Sequence, residues 1–184
     1  MGQVRVGGIY GVGKTTVIKA CLAGFSEDGI HIPLIKGSEI MARILGIPVD
    51  QLPAQSNEAR TTARAAMYKE IGEMASGVRD AHFSTVDQYG NVEYPRSEID
   101  VARVTALALV TARPKIIARR RTQIGRPFRP SDLSNIIEHQ ALEQEAAARL
   151  SAELDVPLHM IENNNEDPSL AADLLKQILA AHCL

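Results

Sequence analysis

Three observations predict an α/β fold with a mostly parallel central sheet and helices on both faces. Short apolar runs alternate with helical patterns along the whole chain, the order that builds a parallel sheet. One of these runs, VTALALV at 104–110, reads as a continuous apolar run, as expected of a strand buried on both faces. A glycine-rich stretch, GGIYGVGKTT at 7–16, falls between the first strand and the first helix. Open sheets of this class bind ligands at such places, beyond the carboxyl ends of their strands.

The elements follow in order. Residues 3–8 form the first strand, with Val4 and Val6 facing one way, and residues 14–25 the first helix. GIHIPLIKG supplies the second strand, and SEIMARILG a short helix capped by Ser38 and stopped near Gly46. A long helix over 54–76 carries Ala63, Met67, Ile71 and Met74 at spacings of three and four. VRDAHF is a short strand and DQYGNVEYP a polar turn. After the apolar strand, Pro114 opens a helix to Arg121, which TQIGRPFRP breaks. A long amphipathic helix covers 131–154, and VPLHMIE is the last strand. Asp167 and Pro168 start the closing helix as its cap and first position. No linker composition or internal repeat interrupts this series, so residues 1–184 are expected to form one domain.

Composition narrows the function. At 184 residues and 45% hydrophobic, the chain can bury a sizeable core. A net charge of −2 argues against broad binding to nucleic acid or to an anionic membrane. Trp is absent and aromatics make up 4%, which removes a stacking platform for single-stranded bases. Cys21 and Cys183 have no metal-ligand spacing and suit a reducing compartment. With no apolar run long enough to span a bilayer and no signal peptide, a cytoplasmic protein is expected.

The glycine stretch carries the chemistry. Gly8, four residues, then Gly13-Lys14-Thr15 is the spacing of a phosphate-binding loop. Glycines at 8, 11 and 13, around Val12, let the backbone curl so that N–H groups point inward, and the following helix adds the positive end of its dipole. Lys14 then reaches the terminal phosphates and the Thr15 hydroxyl can ligate Mg2+. The dinucleotide fingerprint fails, because its third glycine would fall on Thr16. A nucleoside triphosphate, ATP with Mg2+, is the expected ligand. Such a loop needs a carboxylate at the end of a neighbouring strand for the metal. Asp80 is the first choice, with His82 two residues on along the same strand face, and Asp87 is the second. His82 reads either as a rim histidine or as a substrate contact.

Five of the 20 basic residues lie between Arg119 and Arg129. Arg119, Arg120 and Arg121 close a helix, where positive charge suits the dipole. Arg126 and Arg129 each precede a proline in GRPFRP, a loop that could close over a transferring phosphoryl group and exclude water. A solvated basic turn is the alternative.

Together these pieces resemble the P-loop nucleoside monophosphate kinases, most closely the archaeal-type adenylate kinases and their bacterial relatives. The matching segments, in order, are GIYGVGKTT, KGSEIMARILG, DAHFSTV, RRRTQIGRPFR and IIEHQALEQEAAA leading to PLHMIEN. The resemblance implies the three-layer P-loop NTPase fold, with a short lid at about 119–130 and acceptor-binding helices at about 37–76. It implies a donor held on the loop and ATP-dependent transfer to a nucleoside monophosphate, a small-molecule phosphoryl acceptor. Carried over by residue, Arg119 and Arg120 match the helix-end pair and Arg126 the lid arginine, with Arg129 beside it. Asn163 matches a position near the donor base, and Ser38 lies on the acceptor helix. Where the archaeal enzymes place acceptor arginines after the second helix, this chain has VDQLPAQ. Arg43, Arg60 or Arg64 could take their part; for Arg60 and Arg64 a solvated helix face is the alternative. The resemblance is compatible with a homo-oligomer and implies neither a nucleic-acid nor a membrane partner. A kinase with a hydroxyl acceptor, using Glu39 or Asp80 as base, is one rival reading. A slowly hydrolysing nucleotide-gated binding protein is the other.

Overall fold

Alternation at the N-terminus builds a central strand. Val4 and Val6 of β1 (Gln3–Gly7) are fully buried on one face, while Gln3 and Arg5 are buried on the other. In the computed structural model, which describes residues 2–86, 92–94, 103–124 and 131–184, β1 is the middle strand of a five-stranded sheet. Every pairing in that sheet is parallel, in the order β2 (Leu34–Lys36), β3 (Gly77–Asp80), β1, β6 (Val104–Thr111), β7 (Leu158–Glu162). A separate antiparallel pair, β4 (Thr85–Val86) and β5 (Val92–Glu93), stands where only a polar turn was expected.

Helices cover both faces. Helices α1 (Lys14–Glu27) and α6 (Ser169–Cys183) pack over Val4, Val6 and Val78, with Ile18 and Leu175 in the contact. On the other face, α2 (Gly37–Leu45) and α3 (Asn57–Glu73) bring Ile40, Met67 and Ile71 against Ile35. Helix α4 (Pro114–Ile124) packs beside α5 (Leu133–Leu154), whose Ala147 and Leu150 cover Leu107 and Leu109. The unbroken apolar run of β6 follows from these layers. Ala106, Ala108 and Val110 join the first core and Leu107 and Leu109 the second, so residues 106–110 are buried on both faces, while Thr105 and Thr111 are partly exposed.

Several boundaries differ from expectation for local reasons. Helix α3 starts at Asn57, because the Ser56 hydroxyl accepts the Ala59 N–H at 3.2 Å and caps it. The preceding VDQLPA forms a 3-10 helix (Val49–Ala54) instead, since Pro53 has no N–H for a continuous α-helix. Ser38 is not the cap of α2: the helix begins one residue earlier, with Lys36 at the N-cap, and Ser38 lies in its first turn. Asp132 caps α5 through the Asn135 N–H at 2.8 Å. Asp167 accepts from the Ser169 N–H at 3.1 Å, with Pro168 one place before the helix rather than in it. Strand β3 ends at Asp80, so His82 lies beyond it and the two share no strand face. Cys21 and Cys183 are buried free thiols, and burial pushes Cys21 up to about 12, which makes both core side chains rather than reactive ones. No helix among the described residues is long and apolar enough to cross a membrane.

Candidate functional site

The carboxyl ends of three strands align: Lys36 of β2 lies opposite Asp80 of β3, which lies opposite Val6 of β1. Directly after β1 the backbone turns through Gly8, Gly11 and Gly13, all at positive φ, and enters α1 at Lys14. Gly13 is required twice over. Its φ of 86° is left-handed, and a side chain there would run into the Asn163 carboxamide. The loop therefore closes against the residue that follows β7, and the Asn163 Nδ2–H donates to Val12 O at 2.8 Å. That carbonyl and the glycines hold the amides at the start of α1 together at one point, where the helix dipole adds positive potential.

Lys14 is 7% exposed. Its ammonium lies 2.8 Å from Asp80 Oδ1 and also donates to the Ala81 carbonyl. The other Asp80 oxygen accepts the Thr15 hydroxyl at 3.2 Å. Residues expected to hold a metal on one side and phosphate on the other are thus in direct contact, although 65 positions separate Thr15 from Asp80. One hydroxyl and one carboxylate are hard oxygen donors, a set that fits Mg2+ completed by water and phosphate oxygens. No group of three or more His, Cys, Asp or Glu that could cage a metal occurs among the described residues.

The arginine run sorts by helical phase. Ile117 of α4 is fully buried, and four residues on Arg121, 5% exposed, donates Nε–H to Tyr10 O at 2.9 Å. Arg120 donates to the Val12, Asn163 and Asn165 carbonyls at 2.9, 3.0 and 2.7 Å. Burial, and then the neighbouring Arg119, lowers its pKa from the ordinary arginine value. Arg119 pairs with Glu166 at 3.0 Å. Arg120 and Arg121 thus both bond carbonyls of the glycine loop, while Arg119 bonds away from it. Arg126, Arg129 and Asp87 lie outside the described residues.

A cleft of about 1000 Å3 opens from the loop, with Gly11, Gly13, Lys14, Thr15 and Thr16 on one side, and Arg120 and Asn163 also on its wall. Gly8 and the buried Val12 support the loop from behind. The far side is apolar, with Ile35, Met41, Leu52, Met67, Tyr68 and Ile71. Ser38, Arg64 and His82 reach the cleft, as does Lys36, whose ammonium is 2.6 Å from Glu39. His82 is 42% exposed in its side chain, with Nδ1 3.9 Å from Glu143. Arg43 and Arg60 do not line it. Arg43 is spent on Glu70 at 2.5 Å, outside on α3, and Arg60 bonds the Asn57 side chain within its own helix. Sequence reasoning missed Arg5 and Arg79, which pair across β1 and β3 and line the cleft while 2% and 4% exposed. Their signal was two arginines at positions that a buried strand normally fills with apolar residues.

Comparison with known proteins agrees with this geometry. No protein-family model matches the chain. The adenylate kinase of Thermoplasma volcanium is 28% identical over 181 residues, covering 94% of this chain and 96% of that protein. The adenylate kinase of Thermoplasma acidophilum is 28% identical over 179 residues, covering 93% and 95%. Among solved structures, shikimate kinase from Bacteroides thetaiotaomicron superposes with a TM-score of 0.57 at 14% identity, over 97% of this chain and 98% of that one. At that identity the last likeness speaks for the fold alone. With a phosphate-binding loop, the P-loop kinase fold and adenylate kinase likeness along nearly its full length, the chain is a P-loop phosphotransferase that resembles the archaeal-type adenylate kinases.

Proposed function

We propose that the chain transfers the terminal phosphoryl group of ATP to a nucleoside monophosphate. The sign of the charge in the cleft carries this reading. Among the described residues, its lining holds six cationic side chains, Arg5, Lys14, Lys36, Arg64, Arg79 and Arg120, against two carboxylates, Asp80 and Glu166. Both carboxylates already face cations, Asp80 with Lys14 and Glu166 with Arg119. A hydroxyl acceptor needs a base. Glu39 is not in the lining and is paired with Lys36, and Asp80 is held by Lys14 and Thr15. A monophosphate needs no base and brings about two negative charges, which guanidinium groups meet best. The apolar wall of Met41, Met67 and Tyr68 suits the flat face of a base.

In this reading the triphosphate lies on the loop amides, with Lys14 on its terminal phosphates and Asn163 toward the donor base. Thr15 and Asp80 would hold Mg2+, whose charge helps neutralise the phosphates. An oxygen of the acceptor phosphate forms a bond to the γ-phosphorus while the bond to the bridging oxygen of ADP breaks. No protein nucleophile takes part, and the protein's work is positioning and charge stabilisation. The arginines of the 119–130 segment, Arg126 and Arg129 with Arg120, would act on the transferring group as a lid, and residues 37–76 would hold the acceptor.

Arg64 tests the acceptor half. It lies on α3, lines the cleft and has no protein partner among the described residues. Arg64→Ala is expected to raise the KM for a monophosphate acceptor by about tenfold or more, the loss of one charge-assisted contact. The KM for ATP should change by less than about twofold, because the donor lies on the other side. Equal shifts in both constants, or none, would return Arg64 to a solvated helix face.

A further inference from the structure

Helix α5 carries four glutamates, Glu138, Glu143, Glu145 and Glu153, and three of them are exposed. Glu143 is 1% exposed and stands on the apolar stripe, between Ile136 and Leu150. A carboxylate so placed is costly unless donors surround it. Four do. Its Oε1 accepts from the Gly8 and Phe83 N–H groups, both at 2.9 Å. Its Oε2 accepts from the Ser84 N–H at 2.6 Å and the Ser84 hydroxyl at 2.7 Å.

These donors belong to two segments that are far apart in the chain. Gly8 begins the phosphate-binding loop, six residues before Lys14, and Phe83 and Ser84 follow Asp80 by three and four residues. The other ends of the same segments meet in the cleft, where Asp80 contacts Lys14 and Thr15. We propose that Glu143 is a positioning residue for phosphoryl transfer, clamping the start of the loop to the segment after Asp80. The clamp fixes how far Lys14 and Thr15 stand from Asp80, without touching either substrate. It also commits the Gly8 amide to the protein, so the phosphates are left to amides further along the loop. Only a carboxylate suits the place, because all its partners there donate. A glutamine would turn its own NH2 against a backbone N–H.

The inference rests on the phosphotransferase reading, and the test separates the two. Full-length E143Q and S84A are compared with the unaltered chain in turnover, in ATP affinity by calorimetry, and in melting temperature. For E143Q, kcat should fall about a hundredfold, as for a displacement of about 1 Å at a reacting centre. ATP affinity should change by less than about threefold, since the amides that meet the phosphates remain. S84A deletes one of the four bonds and should lose less. An E143Q protein that melts earlier but turns over normally, or one that cannot fold, makes Glu143 structural only and overturns the proposal. If the unaltered chain transfers phosphate to no acceptor, it is the functional reading that fails. The clamp is then read by hydrogen exchange: the Gly8 and Ser84 amides should exchange at least about a hundredfold faster in E143Q. Equal exchange in the two proteins would remove the clamp itself.

Discussion

Lys14→Ala is expected to lower turnover by on the order of a thousandfold or more while leaving the fold intact, comparable with losing a main donor to transition-state charge. The ammonium is the one side-chain cation that the loop itself supplies, and it lines the cleft 2.8 Å from Asp80. Alanine leaves Asp80 without its ion pair. Because that carboxylate borders the cleft and keeps the Thr15 hydroxyl, water can solvate it. The stability cost should be about 1 kcal/mol, which lowers the melting temperature of a chain this size by about 2–4 °C. A folded variant with near-normal activity would remove the loop as the donor site.

Asp80→Asn is the second large effect, expected at about a hundredfold or more in turnover. The substitution keeps the shape of the side chain but removes the negative charge that faces Lys14 at 2.8 Å and Thr15 at 3.2 Å. Two consequences distinguish it from a general loss of activity. The Mg2+ concentration needed for half-maximal turnover should rise, because the carboxylate of the metal shell is gone. Binding of ATP without Mg2+ should strengthen or stay level, because Lys14 loses a competitor for phosphate. An unchanged Mg2+ response would move the metal role to another carboxylate, with Asp87 the next to replace.

The loop, the sheet class and the meeting of Asp80 with Thr15 were legible in the sequence for a shared reason. Each rests on a local pattern whose geometry is nearly obligatory: glycines at fixed spacing, apolar runs of strand length, an acid at a strand end. What escaped depends on burial, which spacing reports poorly. Glu143 looks like its neighbours in IIEHQALEQEAAA; its place on the buried stripe hints at a difference, but its bonds from Gly8, Phe83 and Ser84 appear only in the fold. Arg5 and Arg79 were visible as interruptions in strands, but their position over the cleft follows from the order β2-β3-β1, which no local pattern encodes. Counting one helical turn from the apolar Ile117 leads to Arg121, the buried arginine that bonds the loop at Tyr10 O. Arg43 stands outside the cleft lining through a contact that no local pattern shows. It lies on the expected helix, yet its partner Glu70 is 27 residues away on α3, beyond the reach of any helical spacing.

The identity of the acceptor decides the functional reading. The most direct measurement is a coupled assay with ATP and Mg2+ against AMP, dAMP, CMP, UMP and GMP, run beside the matching nucleosides. Turnover of at least one monophosphate is expected, with none for its nucleoside, because the cleft offers guanidinium groups and no unpaired carboxylate to serve as base among the described residues. Phosphorylation of nucleosides alone, or slow ATP hydrolysis that no acceptor stimulates, would contradict it.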